Sequence, residues 1–294
     1  MRVAQKSQYE TMRYQLERIT EDLTEANLTV STGKRIHQLR DDPIGVAQVL
    51  SLNSNLSNLV QLKRNTATGK TWLDTGEAAL RTVSDIITES KTIAIAMSSA
   101  TANSDTRRAS AEEIRGYILQ IESLANTRVQ GQYIFSGTKT DTQAFTLDSQ
   151  QNPSMATYAG NNTAFAIKSG KDTTIEVGQD GDALFSNLFV SLIDLYNKLN
   201  NNDSSGIGNA ISNLDSDFDT INNAVADIGA KGARLETQER IIVDLNLSYT
   251  ENKAQIEDAD IVDAITKLQA TELAYQAALN SASKLMKLSL ADFL

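Results

Sequence analysis

The sequence predicts a mainly α protein: an elongated coiled-coil helical bundle formed by both chain ends, with a small β-rich insertion domain in the middle. Three observations carry this reading. Apolar residues recur at alternating spacings of three and four at both ends of the chain, and only two prolines, Pro43 and Pro153, interrupt its 294 residues. The one stretch of different texture, short β-prone runs set among Gly, Asn, Asp and Ser, lies between those ends.

Each element follows in order. Tyr9, Met12, Leu16, Ile19, Leu23, Ala26 and Val30 form one helical stripe, which Gly33 interrupts. Asp42 then suits an N-cap with Pro43 at the first helical position, opening a second helix to about Met97 through Val46, Val49, Leu56, Val60, Trp72, Ala79, Val83, Ile86 and Ile93. Asn53, Gly69 and Gly76 are places where that helix could bend. A polar turn over 98–104, with Asp105 as the expected cap, leads to a third helix carrying Ile114, Ile118, Ile121 and Ala125.

Past Gly131 come Tyr133-Ile134-Phe135, Phe145-Thr146-Leu147, Thr157-Tyr158, Ala164-Phe165-Ala166-Ile167 and Thr173-Thr174-Ile175-Glu176-Val177, read as short strands. Helical spacing returns over 182–199 through Leu184, Leu188, Leu192 and Leu195. The longest element is expected to start at Ile207 and run through Ile211, Leu214, Phe218, Ile221, Val225, Ile228, Leu235, Ile242, Tyr249 and Ile256, about 75 Å at 1.5 Å per residue. A last stripe, Ile261, Ile265, Leu268, Tyr275, Leu279, Ala282 and Met286, is broken only at Glu272.

The expected organisation is nested. Residues 1–40 and 253–294 form the two halves of an inner coiled-coil layer, 41–130 and 181–252 the two parts of a helical rod domain, and 131–180 the β-rich outer insertion. Taken alone, periodicity favours an ordinary helical bundle packed within one chain as the default. A two-helix terminal layer, however, has little apolar area to offset an ordering cost of roughly 1–2 kcal/mol per residue, so it calls for copies of itself. The expected assembly residues are Leu16, Ile19, Leu23, Leu268, Tyr275, Leu279, Leu285, Leu288, Leu290 and Phe293.

Composition narrows the function classes. Apolar AVILMFWYC residues are 40% and aromatics 5% of the chain, thin for the core of a large compact enzyme. With 27 basic and 37 acidic residues the net charge is −10, and no basic stripe offers a nucleic-acid footprint. Cysteine is absent, which removes disulfide and thiolate chemistry. No window reaches the roughly 20 apolar residues of a membrane span, and the N-terminus lacks the apolar core and cleavage site of a general secretory signal. If the protein leaves the cell, another route carries it.

No constellation supports catalysis, a metal or a cofactor. Gly69-Lys70-Thr71 ends like a phosphate-binding loop, but Arg64 stands where its first glycine belongs, so an exposed helix surface is expected. His37, the single histidine, has Asp41 nearby but no further ligand and is read as a loop residue. Asp258, Asp260 and Asp263 lack a base or nucleophile and read as a solvated helix face. Asp180-Gly181-Asp182 lacks the later calcium ligands and reads as a turn capping the next helix. Trp72 and Tyr133 to Phe135 are expected in packing. The acceptor patterns at Asn27, Asn161 and Asn246 are short enough to arise by chance.

Ser31-Thr32-Gly33-Lys34-Arg35-Ile36 followed by Asp41-Asp42-Pro43 resembles the N-terminal signature of the hook-associated protein 3 branch of the flagellin family. Gly131-Gln132-Tyr133-Ile134-Phe135-Ser136-Gly137, Gly181-Asp182-Ala183-Leu184-Phe185 and the end from Leu279-Asn280 to Leu294 are similar to it as well. Flagellin itself usually has Ser-Ser-Gly in the signature and lacks the proline, so Pro43 favours the junction branch. The resemblance covers essentially the whole chain and is weakest in the insertion. It implies a secreted, non-enzymatic subunit between hook and filament, exported by the flagellar type III apparatus and self-associating in a ring. It implies hook-associated protein 1, flagellin and an export chaperone as partners. Flagellin, the bulk filament subunit, is the alternative within that family, and a cytoplasmic coiled-coil signalling or scaffold module the alternative outside it.

Overall fold

A computed structural model describes residues 2–99 and 101–291, with the surroundings of the side chains given for residues 7, 9–99 and 101–284. The chain is mainly α. Its helices are α1 (Arg2–Thr32), α2 (Pro43–Ser98), α3 (Ser104–Ala125), α4 (Gly181–Asn200), α5 (Ser204–Glu257) and α6 (Ile261–Ala291). Between α3 and α4 lie β1 (Arg128–Val129), β2 (Gln132–Tyr133), β3 (Phe145–Leu147), β4 (Ala156–Tyr158), β5 (Ala166–Lys168) and β6 (Thr174–Glu176). They pair as three antiparallel hairpins, β1 with β2, β3 with β4 and β5 with β6.

The chain divides into two compact units, one made of Met1–Asn58 with Leu245–Leu294 and one of Leu59–Asp244. In the first, α1 and α6 pack on each other. In the second, helical spacing has turned one face of each helix inward: Leu80, Val83 and Ile87 from α2, Ile114, Ile118 and Ile121 from α3, Leu188, Leu192 and Leu195 from α4, and Leu214, Ile221 and Ile228 from α5 are buried in one core. Cross-helix ties from Lys70 to Glu236, Ser84 to Asn222 and Lys91 to Asp215 show α2 and α5 running antiparallel there.

The hairpins close on this helical body through alternating burial. Phe145 and Leu147 of β3, Ile167 of β5 and Ile175 of β6 face inward while their neighbours face out. The Phe145 ring lies 5.0–5.8 Å from those of Tyr158, Phe185 and Phe189, a geometry worth about 0.5–1.5 kcal/mol per pair beyond burial. Trp72 is buried 5.0 Å from Phe165, and Phe135 5.0 Å from Phe185, so the expected packing residues are core.

Three sequence expectations need correcting. The cap of α3 is Asn103, whose side chain accepts from the Thr106 N–H, while Asp105 sits in the first turn. The longest helix is α2, with 56 residues against 54 for α5. It runs through Asn53, Gly69 and Gly76 without interruption. Gly69 is buried, not on an exposed surface: a Cβ there would lie 2.3 Å from Ile167 Cδ1, so the bare backbone makes room for the β5–β6 hairpin.

Candidate assembly interface

The two chain ends meet through complementary rows. On α1, Met12, Leu16, Ile19, Leu23, Ala26 and Val30 form a half-buried to buried row. On α6 the inward row is Ala264, Leu268, Thr271, Tyr275, Ala278 and Ala282. Both repeat at four and three residues, the spacing of a two-helix seam. The pairing is one-sided: among the described residues the buried members are the alanines 26, 264 and 282, and the larger side chains keep part of their surface in water.

Much apolar surface in this unit faces outward. Tyr14 is 66% exposed, Val262 76%, Leu273 69% and Leu279 45%, with Tyr9, Ile261 and Ile265 also exposed. Of the expected assembly residues, Leu16, Ile19, Leu23, Leu268 and Tyr275 thus face the partner helix within the chain, and Leu279 faces away. Leu285, Leu288 and Leu290 lie on α6 beyond the residues whose side chains are described, and Phe293 lies outside the described residues. Large apolar side chains left facing water along both helices of a unit make it a candidate interaction surface.

The signature segment straps the chain ends together. Ser31 and Thr32 donate their hydroxyls to the Leu28 carbonyl at 3.0 and 2.7 Å, bonding back into the last turn of α1. Gly33 turns the chain at φ +70 while its N–H reaches Thr29 O at 2.9 Å, a left-handed helix stop that glycine adopts without strain. From there, Arg35 N donates to Glu257 O at 2.7 Å and Ala259 N to Gly33 O at 2.9 Å, a short bridge between the α1–α2 and α5–α6 connections.

Side chains reinforce that bridge. Lys34 Nζ lies 2.6 Å from Glu257 Oε1, and Arg35 donates to Ile256 O at 2.9 Å and to Asp42 Oδ2 at 3.2 Å. Burial pushes the Glu257 carboxyl up, yet the hydrogen bond and charge of Lys34, with Lys253, outweigh it and hold the group below 4.5. Asp41 Oδ2 accepts the N–H groups of Gln38 and His37, and Asp42 Oδ1 caps α2 by accepting from Gly45 N at 2.8 Å. These backbone bonds, chiefly from Gln38 and Gly45, lower both aspartates below 3.8. Pro43 begins α2, where its missing N–H has no partner to lose. Signature residues 31–35 and 41–43 therefore have a mechanical part, and His37 is indeed in the loop, its Nε2 3.4 Å from Thr29 Oγ1.

In the other unit, the two central motifs prove to be one joint. Gln130 and Gly131 both have positive φ, as a two-residue β1–β2 turn requires. The Phe135 carbonyl at the far end of that motif accepts the Gly181 N–H at 3.1 Å, and Ser136 bridges Asp180. Asp180 caps α4 by accepting from Asp182 N, as its turn-forming sequence suggests. Gly137 turns at φ +66 against Asn161, where a Cβ would lie 2.1 Å from Asn161 O. Tyr158 closes the joint by donating to Phe135 O and Asn161 O, and burial raises its hydroxyl to about 12.

Sequence reasoning missed Arg107. Its buried guanidinium donates to Met97 O and Ser99 O at 2.9 Å each and to Asn202 Oδ1 at 2.5 Å, tying the end of α2 to the α4–α5 turn. The signal was present: a cation in the first turn of α3 opposes that helix's own dipole and so needs another reason to be there. The acidic trio is likewise structural: Asp258 belongs to the bridge with Lys34, and Asp260 caps α6 by accepting from Val262 N and Asp263 N. That corrects the solvated-face reading of Asp260. Lys70 of the discarded phosphate-loop fragment pairs with Glu236 at 3.1 Å. Among the described residues no group of three or more His, Cys, Asp or Glu could hold a metal, and no helix is long and apolar enough to cross a membrane.

Comparison with known proteins bears on this arrangement. Residues 3–140 match the bacterial flagellin N-terminal helical region. A flagellin from Listeria innocua is 24% identical over 92% of this chain and 90% of its own length. Flagellar hook-associated protein 3 from Escherichia coli is 31% identical over 54% of the chain, and the match spans about half (49%) of that relative. Among solved structures, flagellar hook-associated protein 3 from Legionella pneumophila superposes with a TM-score of 0.63 at 14% identity, covering 71% of this chain and 99% of that one, a likeness of fold.

Proposed function

We propose that the chain is a flagellar structural protein of the flagellin family, supported by the match over residues 3–140 and by the flagellin and hook-associated relatives, and that within this family it is the subunit joining the hook-associated region to the filament. The observation that carries the reading is the incomplete burial of the α1–α6 pair, in which, among the residues whose surroundings are described, the buried members are alanines while Tyr14, Val262, Leu273 and Leu279 stand in water. Such a pair gains most of its apolar burial from neighbouring subunits. Residues 1–40 and 253–294 serve as the inner coiled-coil layer of the assembly, 41–130 and 181–252 as its rod, and 131–180 as the outward insertion.

In this reading the work is mechanical and non-catalytic. Copies self-associate in a ring, meet hook-associated protein 1 on one side and flagellin on the other, and match one helical lattice to the next through coaxial helix contacts. The strap from Lys34 and Arg35 to Glu257 keeps the two chain ends in register while they are loaded. Before assembly an export chaperone covers the last helix, and the type III apparatus carries the chain out. Asp41-Asp42-Pro43, with Asp42 capping α2, favours the junction over the bulk filament, while the near full-length likeness to a flagellin makes the filament subunit the reading to test against.

Deleting the gene separates them. Completed hooks without filaments, with flagellin shed into the medium, are expected; normal filaments, or bare hooks with no flagellin anywhere, would overturn the junction role.

A further inference from the structure

A buried polar cluster in the Leu59–Asp244 unit has no part in the assembly surface. Asp217 of α5 is 7% exposed, Ser191 of α4 5% and Ser90 of α2 is fully buried. Asp217 Oδ2 and Ser90 Oγ have no hydrogen-bond partner among the described residues. The antiparallel register set by Ser84 with Asn222 and by Lys91 with Asp215 brings Ser90 and Asp217 to the same level of the α2–α5 pair. Leu214 and Ile221, one helical turn to either side of Asp217, are fully buried apolar residues.

The charged groups nearby are committed elsewhere. Lys91 of α2 pairs with Asp215 and sits 5.5 Å over the Phe218 ring. On α4, Asp194 pairs with Lys198 at 2.6 Å. Glu89 of α2 and Glu113 of α3 act on the Tyr117 hydroxyl. None of these acts on Asp217: burial raises its carboxyl above 3.8, and only the Ser191 hydroxyl works the other way. An ionised carboxylate at this place would be a buried charge with no counter-ion, the costliest kind of polar burial, whereas the neutral acid can donate its proton to a buried hydroxyl.

We propose that Asp217, with Ser90 and Ser191, is a proton-operated weak point in the helical core: neutral Asp217 closes the α2–α4–α5 packing, and ionised Asp217 loosens it. The direction follows from linkage. A carboxyl whose folded value is raised contributes its stability fully below the unfolded value of 3.8 and loses it as the pH rises through the folded value. Above the folded value the unit therefore carries a built-in destabilising charge, and acidification through that value removes it.

The test compares thermal unfolding of the purified full chain, wild type against Asp217→Asn, between pH 8 and about pH 4, so that the scan reaches the unfolded value, with a carbon-13 carboxyl titration of Asp217 in the wild type. Asparagine keeps the shape and cannot ionise. The expected result is a higher Tm for Asp217→Asn at pH 8, a difference that shrinks as the pH falls, and an Asp217 titration midpoint above that of an exposed aspartate. Over the pH range in which the folded protein alone holds the proton, the ratio of the two unfolding constants should change by up to about tenfold per pH unit. A difference between the proteins that stays constant with pH, or a lower Tm for Asp217→Asn at pH 8, overturns the proposal. So does a midpoint at or below 3.8, which remains readable even if the variant fails to fold.

Discussion

Gly181 is the position where a single methyl group is expected to do the most damage. It opens α4, donates its N–H to Phe135 O at 3.1 Å and carries no side chain where a Cβ would stand 2.2 Å from that same oxygen. The obstructing atom is backbone, so no rotamer relieves the clash; the end of the Gly131–Gly137 motif and the first turn of α4 must part. Overpacking of this kind costs about 1–3 kcal/mol. Lengthening the hydrogen bond removes about 1 kcal/mol more, and spoiling the edge-on Phe135–Phe185 pair about 0.5–1.5 kcal/mol. Gly181→Ala should therefore lower the stability of the Leu59–Asp244 unit by about 4 kcal/mol, a fall of roughly 8–16 °C in Tm at about 2–4 °C per kcal/mol for a unit of this size. The assay is urea unfolding followed by circular dichroism, where the midpoint should drop with the slope unchanged. Gly116→Ala is the control, because nothing lies within 4 Å of a Cβ there and the α3 interior should gain about 0.5–1 kcal/mol. Equal midpoints for the two variants would refute the joint between the central motifs.

Three further outcomes are expected. Arg107→Met keeps the buried alkyl stem but removes the three hydrogen bonds to Met97, Ser99 and Asn202, and should cost about 2–4 kcal/mol by urea midpoint. Because Glu257 is held below 4.5, its share of the strap is present above that value and lost as the pH falls through the folded one; hydrogen exchange at the Arg35 and Ala259 amides should accelerate below about pH 4.5 beyond its intrinsic pH dependence, and Glu257→Gln should show the faster exchange already at neutral pH. Leu279→Asp, on the outward side of α6, should shift stability by less than about 0.5 kcal/mol while blocking incorporation into flagella; loss of the helical signal by circular dichroism would mean that Leu279 packs within the chain.

The helices were legible because their signal repeats over many turns: a three-four stripe sustained from Met12 to Val30 has no strand reading. The cap at Asp42 was legible from its proline. The cap at Asn103 was not, because Asn103, Ser104 and Asp105 all suit the position and only the backbone decides among them. The face of α6 was read partly out of phase. Large residues such as Ile265 and Leu279 drew the stripe towards themselves, yet the row against α1 is completed by Ala264, Thr271 and Ala278, small residues that carry little hydropathy but allow close approach. Glu272, the supposed break, is simply exposed beside Thr271. The signature motif could be recognised but not explained, since Lys34 and Glu257 are separated by 223 residues and no local pattern links them. Asp217 was invisible for the same reason, being defined by what other helices bring to it, and Arg107 left only its unfavourable place in the first turn of α3 as a sign.

The most direct measurement of the central claim is immunogold electron microscopy of intact flagella with antibody raised against this chain. A single band of label at the boundary between hook and filament is the expected result; label distributed along the whole filament, or its absence from the flagellum, would contradict the junction role.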